Sequence, residues 1–223
     1  MVRGKKILSG LALLGIATIL ISAKMVFGTP RTANVQLDKQ NVFYEGVENP
    51  INVSIYEVPP LNMIVTAPNC EITSTARPGY YILKVKSGNR ATVNVSYVEN
   101  GDTINAGNFQ YRIKKIPDPV TYVGAVRNDG IILKNDLQNV TGIFTRMENF
   151  DFDCAFKPQS FSMSVFHDST WSDYKTTGPA LNAEMKAALK NAMPEDKIIF
   201  HEVMTLGPDS TLRKVNPVFI TVK

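Results

Sequence analysis

Dry and wet positions alternate with a period of two through most of the chain beyond residue 40. Phe109, Tyr111 and Ile113 alternate with Gln110, Arg112 and Lys114. Ile51, Val53 and Ile55 alternate with Asn52, Ser54 and Tyr56, and Ala91, Val93, Val95 and Tyr97 with Thr92, Asn94 and Ser96. Each run is the signature of a strand with one buried face. Further strands are predicted over residues 41–44, 62–67, 70–75 and 80–86. Turn signals fall between them at residues 45–50, at Pro59-Pro60 and at the tight-turn dipeptide Asn100-Gly101. This spacing predicts an antiparallel β-sandwich over residues 33–117.

Pro117 and Pro119 then remove two backbone donors and fix φ near −65°, so no sheet ladder runs through them. Pro117, Asp118 and Pro119 are predicted to form a stiff joint, at residues 118–121, between two modules. The second module, 122–223, reads as β-rich with helical insertions, including a single helical turn near 135–140. Phe150, Phe152, Cys154 and Phe156 form one apolar row, and Phe161, Met163 and Val165 another. The break at Pro158 is expected to set the two rows on neighbouring strands. One long helix is predicted over 181–193, capped by Asn182 and ended by Pro194, with Met185, Ala188, Leu189 and Ala192 on one stripe. Residues 197–206 and 215–222 are expected to close the fold as a strand pair. The expected class is mainly β: an N-terminal membrane helix, then two tandem antiparallel sandwiches, the second carrying one α-helix.

Charge changes the picture mainly at the N-terminus. The formal net charge is +4, but Arg3, Lys5, Lys6 and Lys24 account for it and the remainder is balanced. Nucleic acid is not expected as a partner, because no basic footprint follows residue 29. Arg3, Lys5 and Lys6 precede the uncharged run from Ile7 to Ala23. As a helix that run would reach about 26 Å, close to the thickness of a bilayer's hydrocarbon core. Residues 1–28 therefore read as a signal anchor or a cleaved signal peptide, and both readings stay open. Either one carries the globular part to the periplasm, and an uncleaved span at 7–23 would hold it to the inner membrane.

Candidate chemistry is sparse. His167, Asp168 and Ser169 are consecutive, whereas a catalytic triad converges from separate segments, and no G-x-S-x-G elbow is present. Asp151 and Asp153 project together opposite the Phe row and read as solvated charges. Two histidines in no ligand spacing, with two cysteines expected inside different module cores, give no metal site. Buried, unbridged thiols are the expectation for Cys70 and Cys154, a disulfide the alternative. No cofactor, metal or catalytic residue is expected. Trp171 and Tyr174, in the segment HDSTWSDYKTTG, read as a candidate partner contact on a mobile loop.

Four stretches carry a family resemblance: NVFYEGVENPINVSI from Asn41, FQYRIKKIPDP from Phe109, RMENFDFDCAFKPQSFSM from Arg146, and KIIFHEVMTLGPDSTLRKVNPVFITVK from Lys197. Together they resemble the C-terminal periplasmic region of the GldM family of gliding-motility and type IX secretion proteins, called PorM in some relatives. The resemblance implies immunoglobulin-like and β-sandwich domains, often dimeric, that dock to envelope proteins such as secretion or gliding ring components. Too few residues separate Ala23 from Asn41 for the further periplasmic domains of that family. The apolar run also lacks an ionisable residue, which proton-driven machinery needs. A shortened paralogue serving as a non-catalytic scaffold is therefore expected. The alternatives are a carbohydrate- or cell-surface-binding sandwich and, third, a hydrolase.

Overall fold

The computed structural model describes residues 30–37 and 42–223. The membrane segment expected at 7–23 lies outside them, and no helix among the described residues is long and apolar enough to cross a membrane.

Two four-stranded sheets form the first half. One has the order β1-β3-β6-β5, built from β1 (Ala33–Leu37), β3 (Glu48–Ile55), β5 (Cys70–Ser74) and β6 (Tyr80–Val85), all antiparallel. The other has the order β2-β8-β7-β4, built from β2 (Val42–Tyr44), β4 (Met63–Thr66), β7 (Arg90–Glu99) and β8 (Asp102–Lys114). Its β2 runs parallel to β8. The alternating residues meet between the sheets: Ile51, Val53, Leu83, Ala91, Val93 and Val95 are all at most 1% exposed. β7 and β8 are joined through Asn100 and Gly101, whose φ values of 54° and 90° fit a primed two-residue hairpin turn. β8 begins at Asp102, well before the alternating run at Phe109.

Strands β9 (Val120–Val123), β10 (Val126–Arg127) and β12 (Ile143–Arg146) make a small antiparallel sheet in the second half. A larger sheet has the order β11-β17-β15-β13-β14. Its members are β11 (Asp129–Ile132), β13 (Lys157–His167), β14 (Thr170–Thr177), β15 (Lys197–Leu206) and β17 (Val218–Val222). The short β16 (Leu212–Lys214) pairs with β15. The core lies on one face of this sheet, where Phe161, Met163, Val165, Ile198, Phe200 and Ile220 meet Val123 and Ile143 of the small sheet. Helix α1 (Lys134–Leu137) and helix α2 (Ala183–Asn191) close that core with Leu137, Met185 and Leu189. Asn182 caps α2 by accepting the amide of Met185 at 2.9 Å. The helix is shorter than its apolar stripe: it ends at Asn191, and Ala192 is already extended at φ −58°, ψ 141°.

The row Phe150, Phe152, Cys154, Phe156 corrects one expectation. Its period-2 exposure is real, with Phe152 and Phe156 buried and Asp151, Asp153 and Ala155 exposed, but the segment belongs to no sheet. Pro158 lies inside β13 and does not separate two paired strands. The row packs against the first half, on Val42, Tyr44, Val47 and Ile116. An alternating segment needs something apolar against its dry face, and here a neighbouring module supplies it.

Candidate functional site

The large sheet has an uncovered face. Register fixes what it carries. On β13, Phe161, Met163 and Val165 point into the core, so Ser162, Ser164 and Phe166 point away. Across the neighbouring strands, one row reads Ile131, Thr221, Lys197, Phe166, Trp171. The next reads Asp129, Phe219, Ile199, Ser164, Asp173. Ile131, Phe219 and Trp171 are 54%, 45% and 48% exposed, and with the half-buried Ile199 and Phe166 they place one apolar side chain on each of the five strands within these two rows.

Beside these apolar side chains lies a polar cluster. A bulge in β15 builds it: Ser160 faces Met204 while Ser162 faces His201, so β15 carries one extra residue there, and Glu202 has φ 50°. That conformation is uncommon for a residue with a Cβ. The Glu202 carboxylate accepts from Ser162 Oγ at 2.9 Å and lies 3.7 Å from Lys175 Nζ. These partners, the Ser162 hydroxyl first, hold its pKa below the usual carboxylate range. Ser164 Oγ meets His201 Nε2 at 2.7 Å and also the carboxylate of Asp173. The hydroxyl thus stands between the acid and the imidazole, whereas a triad places the imidazole in the middle. Ser164 is also only 7% exposed.

Asp168 and Ser169, with φ 45° and 63°, make the two-residue turn joining β13 to β14. His167 reaches the buried Asp196, with Nδ1 2.9 Å from the carboxylate. That bond, with the nearby Asp168, raises the His167 pKa. No group of three or more His, Cys, Asp or Glu side chains gathers as for a metal ion among the described residues. Cys70 and Cys154 are unbridged, and burial pushes both thiols up.

Trp171 and Tyr174 stand on β14, a regular edge strand, and not on a mobile loop. Three positions apart on a strand, they face opposite ways. Trp171 packs on Phe166 at the open face, ring centroids 5.1 Å apart, while Tyr174 packs against the core. The structure does not bring them together. The other side of β14 has no neighbouring strand in the sheet order, so its outward backbone groups meet no strand, and Asn182 Nδ2 reaches the Lys175 carbonyl at 3.0 Å.

Pro117, Asp118 and Pro119 lie between β8 and β9, and much of what surrounds them was not legible in sequence. Arg213 on β16 donates through Nη1 to the Ile116 carbonyl at 2.8 Å and lies 3.3 Å from Asp118 Oδ1. Its Nη2 pairs with the buried Asp209, and its guanidinium lies over the Phe156 ring at 5.5 Å. Burial opposes ionisation of Asp209, but the hydroxyl and amide of Thr211 and the Arg213 charge outweigh it and lower the pKa. Gly46 comes so close that an added Cβ would stand 2.5 Å from Asp209 Cα. Tyr44 meets Phe150 edge-on at 4.9 Å and Phe152 at 5.0 Å. The only sequence signals were the i, i+4 spacing of Asp209 and Arg213 and the unassigned dry face of the Phe row.

Two family models match the chain: GldM third domain over residues 32–114, and GldM C-terminal domain over residues 117–223. No curated protein matches it in sequence. Among solved structures, the fibronectin(III)-like modules of Clostridium thermocellum CbhA are 14% identical, with 85% of this chain and 94% of that one covered at a TM-score of 0.28. The Yersinia pseudotuberculosis adhesin InvE is 9% identical, covering 86% of this chain and 60% of its own at 0.28. Domains 6-7 of surface layer protein SbsC are 10% identical, covering 86% and 97% at 0.29. At such TM-scores these likenesses say nothing further of fold or function.

Proposed function

The chain belongs to the GldM family, and on that premise we propose that it is a non-catalytic periplasmic docking module of a gliding or type IX secretion apparatus, anchored to the inner membrane by residues 7–23. One observation carries the reading: the large sheet of the second module leaves a whole face open, with Trp171, Phe166, Ile199, Phe219 and Ile131 across it. Such a face, rimmed by charged and polar groups, is what a protein partner covers. The unpaired edge of β14 adds main-chain donors and acceptors for a partner strand. The packed joint presents this face at a set angle, so little interdomain freedom is lost on docking.

Crosslinking in intact cells tests it, comparing the natural chain with Trp171→Ala combined with Phe219→Ser. Both side chains are about half-buried, so the double variant should stay folded with a melting temperature lowered by several degrees, while capture of envelope proteins falls about tenfold or more, as for a central aromatic anchor. Equal capture by both chains would remove this face from the function.

A further inference from the structure

Two apolar side chains stand out from every other on the described surface. Leu61 is 94% exposed and Tyr56 77%, whereas the next most exposed large apolar residue, Leu133, is 57%. Both belong to the loop between β3 and β4, at the pole of the first sandwich opposite the joint. The chain enters the sandwich at the same pole: Ala33 pairs with Ile55, so Tyr56 lies beside Arg31 and Thr32. Arg31 fixes that entry through Glu99 Oε1 at 2.7 Å and its guanidinium over the Tyr97 ring at 5.9 Å.

We propose that this loop is a membrane-contact loop, in which Tyr56 and Leu61 seat in the periplasmic lipid interface where the N-terminal span leaves the bilayer. The contact presupposes the anchored reading above. Residues 24–30 alone separate the apolar run from Arg31. A chain gains at most about 3.6 Å per residue, so the pole stays within roughly 28 Å of the membrane whatever path those residues take. Tethering then makes even a weak apolar contact well populated.

Local geometry presents the two side chains rigidly. The Val58 amide donates to the Ile55 carbonyl at 3.2 Å, and the Asn62 amide to the Pro59 carbonyl at 2.9 Å. Glu57 holds φ 57°, and Pro59 and Pro60 fix the single 3-10 turn that lifts Leu61 outward. A proline-stiffened loop loses little entropy on insertion. Tyrosine favours the membrane–water boundary, where its ring is buried and its hydroxyl stays wet, and leucine favours the layer beneath. Charge opposes the contact only weakly. Arg31 holds Glu99 and lies 4.0 Å from Glu57, and with Arg77 and Asp102 on the neighbouring hairpins the described residues of this pole carry two cations against three acids. The contact should therefore depend little on salt and gain nothing from anionic lipid.

The test uses the full chain reconstituted in phosphatidylcholine vesicles, with Leu61→Trp in a Trp171→Phe background and lipids brominated on the acyl chains. The expected result is flotation with the vesicles, blue-shifted emission, and loss of at least about half the intensity relative to unbrominated lipid. The natural chain, whose indole is Trp171, should show no such loss. Flotation with unquenched, water-like emission at position 61 overturns the loop contact and leaves the anchor standing. Blue-shifted but unquenched emission means that protein covers the loop, and also overturns it. Failure to float overturns the anchor and the contact together.

Discussion

Asn49 and Thr121 show opposite ways of burying a polar group. Asn49 is 2% exposed, yet its amide accepts from the Tyr44 amide at 2.8 Å and donates to the carbonyls of Tyr44, Val47 and Leu83. The side chain thereby ties β2 and the Gly46 turn to β6, and its desolvation is compensated bond by bond. Thr121 is 1% exposed, and its hydroxyl has no hydrogen-bond partner among the described residues. An unmet buried hydroxyl costs about 1–3 kcal/mol. Thr121→Val keeps the branched shape on β9 and removes that cost, so it should raise stability by roughly 1 kcal/mol. A chemical denaturation midpoint moved upward at unchanged slope is the expected readout. A lower midpoint would mean that the hydroxyl is satisfied in solution.

Among the elements, α2 has a role beyond covering the core. Its cap residue Asn182 accepts the Met185 amide and also donates through Nδ2 to the Lys175 carbonyl of β14 at 3.0 Å. One side chain therefore starts the helix and braces the exposed edge strand. Asn182→Ala should cost about 1 kcal/mol globally from the lost cap. It should also speed amide exchange along residues 170–177 more than in β17, at the far side of β15. Uniform acceleration would show that the amide acts on the helix alone. The β15 bulge has a comparable double effect. Ile198 and Phe200 are buried before it, Val203 and Thr205 after it, so the extra residue resets the alternation and turns Glu202 onto the open face.

At the scale of the whole molecule, the proposed joint at residues 117–119 can be tested through the contacts around it. Tyr44, Val47, Ile116, Phe152 and Phe156 form a third apolar cluster between the module cores, and Arg213 closes its rim. Arg213 side-chain exposure is 13% and that of Asp209 4%, so removing the guanidinium leaves a buried carboxylate without its cation. Arg213→Ala should destabilise the joint by roughly 3 kcal/mol. Small-angle scattering should then show a wider spread of interdomain distances while each module keeps its strand content. Acid should act the same way. A carboxylate with a lowered pKa contributes its stabilisation in full above about pH 4, the ordinary Asp range, and loses it as pH falls through the folded value. Equal scattering profiles for Arg213→Ala and the natural chain would assign the joint to the aromatic cluster and the prolines alone.

Sequence alone located most strands of the first half, the central strands of the second, the Asn100-Gly101 hairpin and the helix at Asn182, but it read β14 as a loop and the Phe row at residues 150–156 as a strand. These follow from periodicity and turn chemistry, which are local. It also carried the family, through motifs spread over both halves. What dries a given face is not local. Alternation marked Phe150, Phe152 and Phe156 as covered, but only the packed chain placed them against Tyr44 of the other module. The same limit hid Arg213, whose partner carbonyl at Ile116 is 97 residues away. It also separated Trp171 from Tyr174, because the faces of β14 acquire meaning only once β13 lies beside it. A strand's period names its two sides, and the tertiary structure alone decides which neighbour, or water, each side meets.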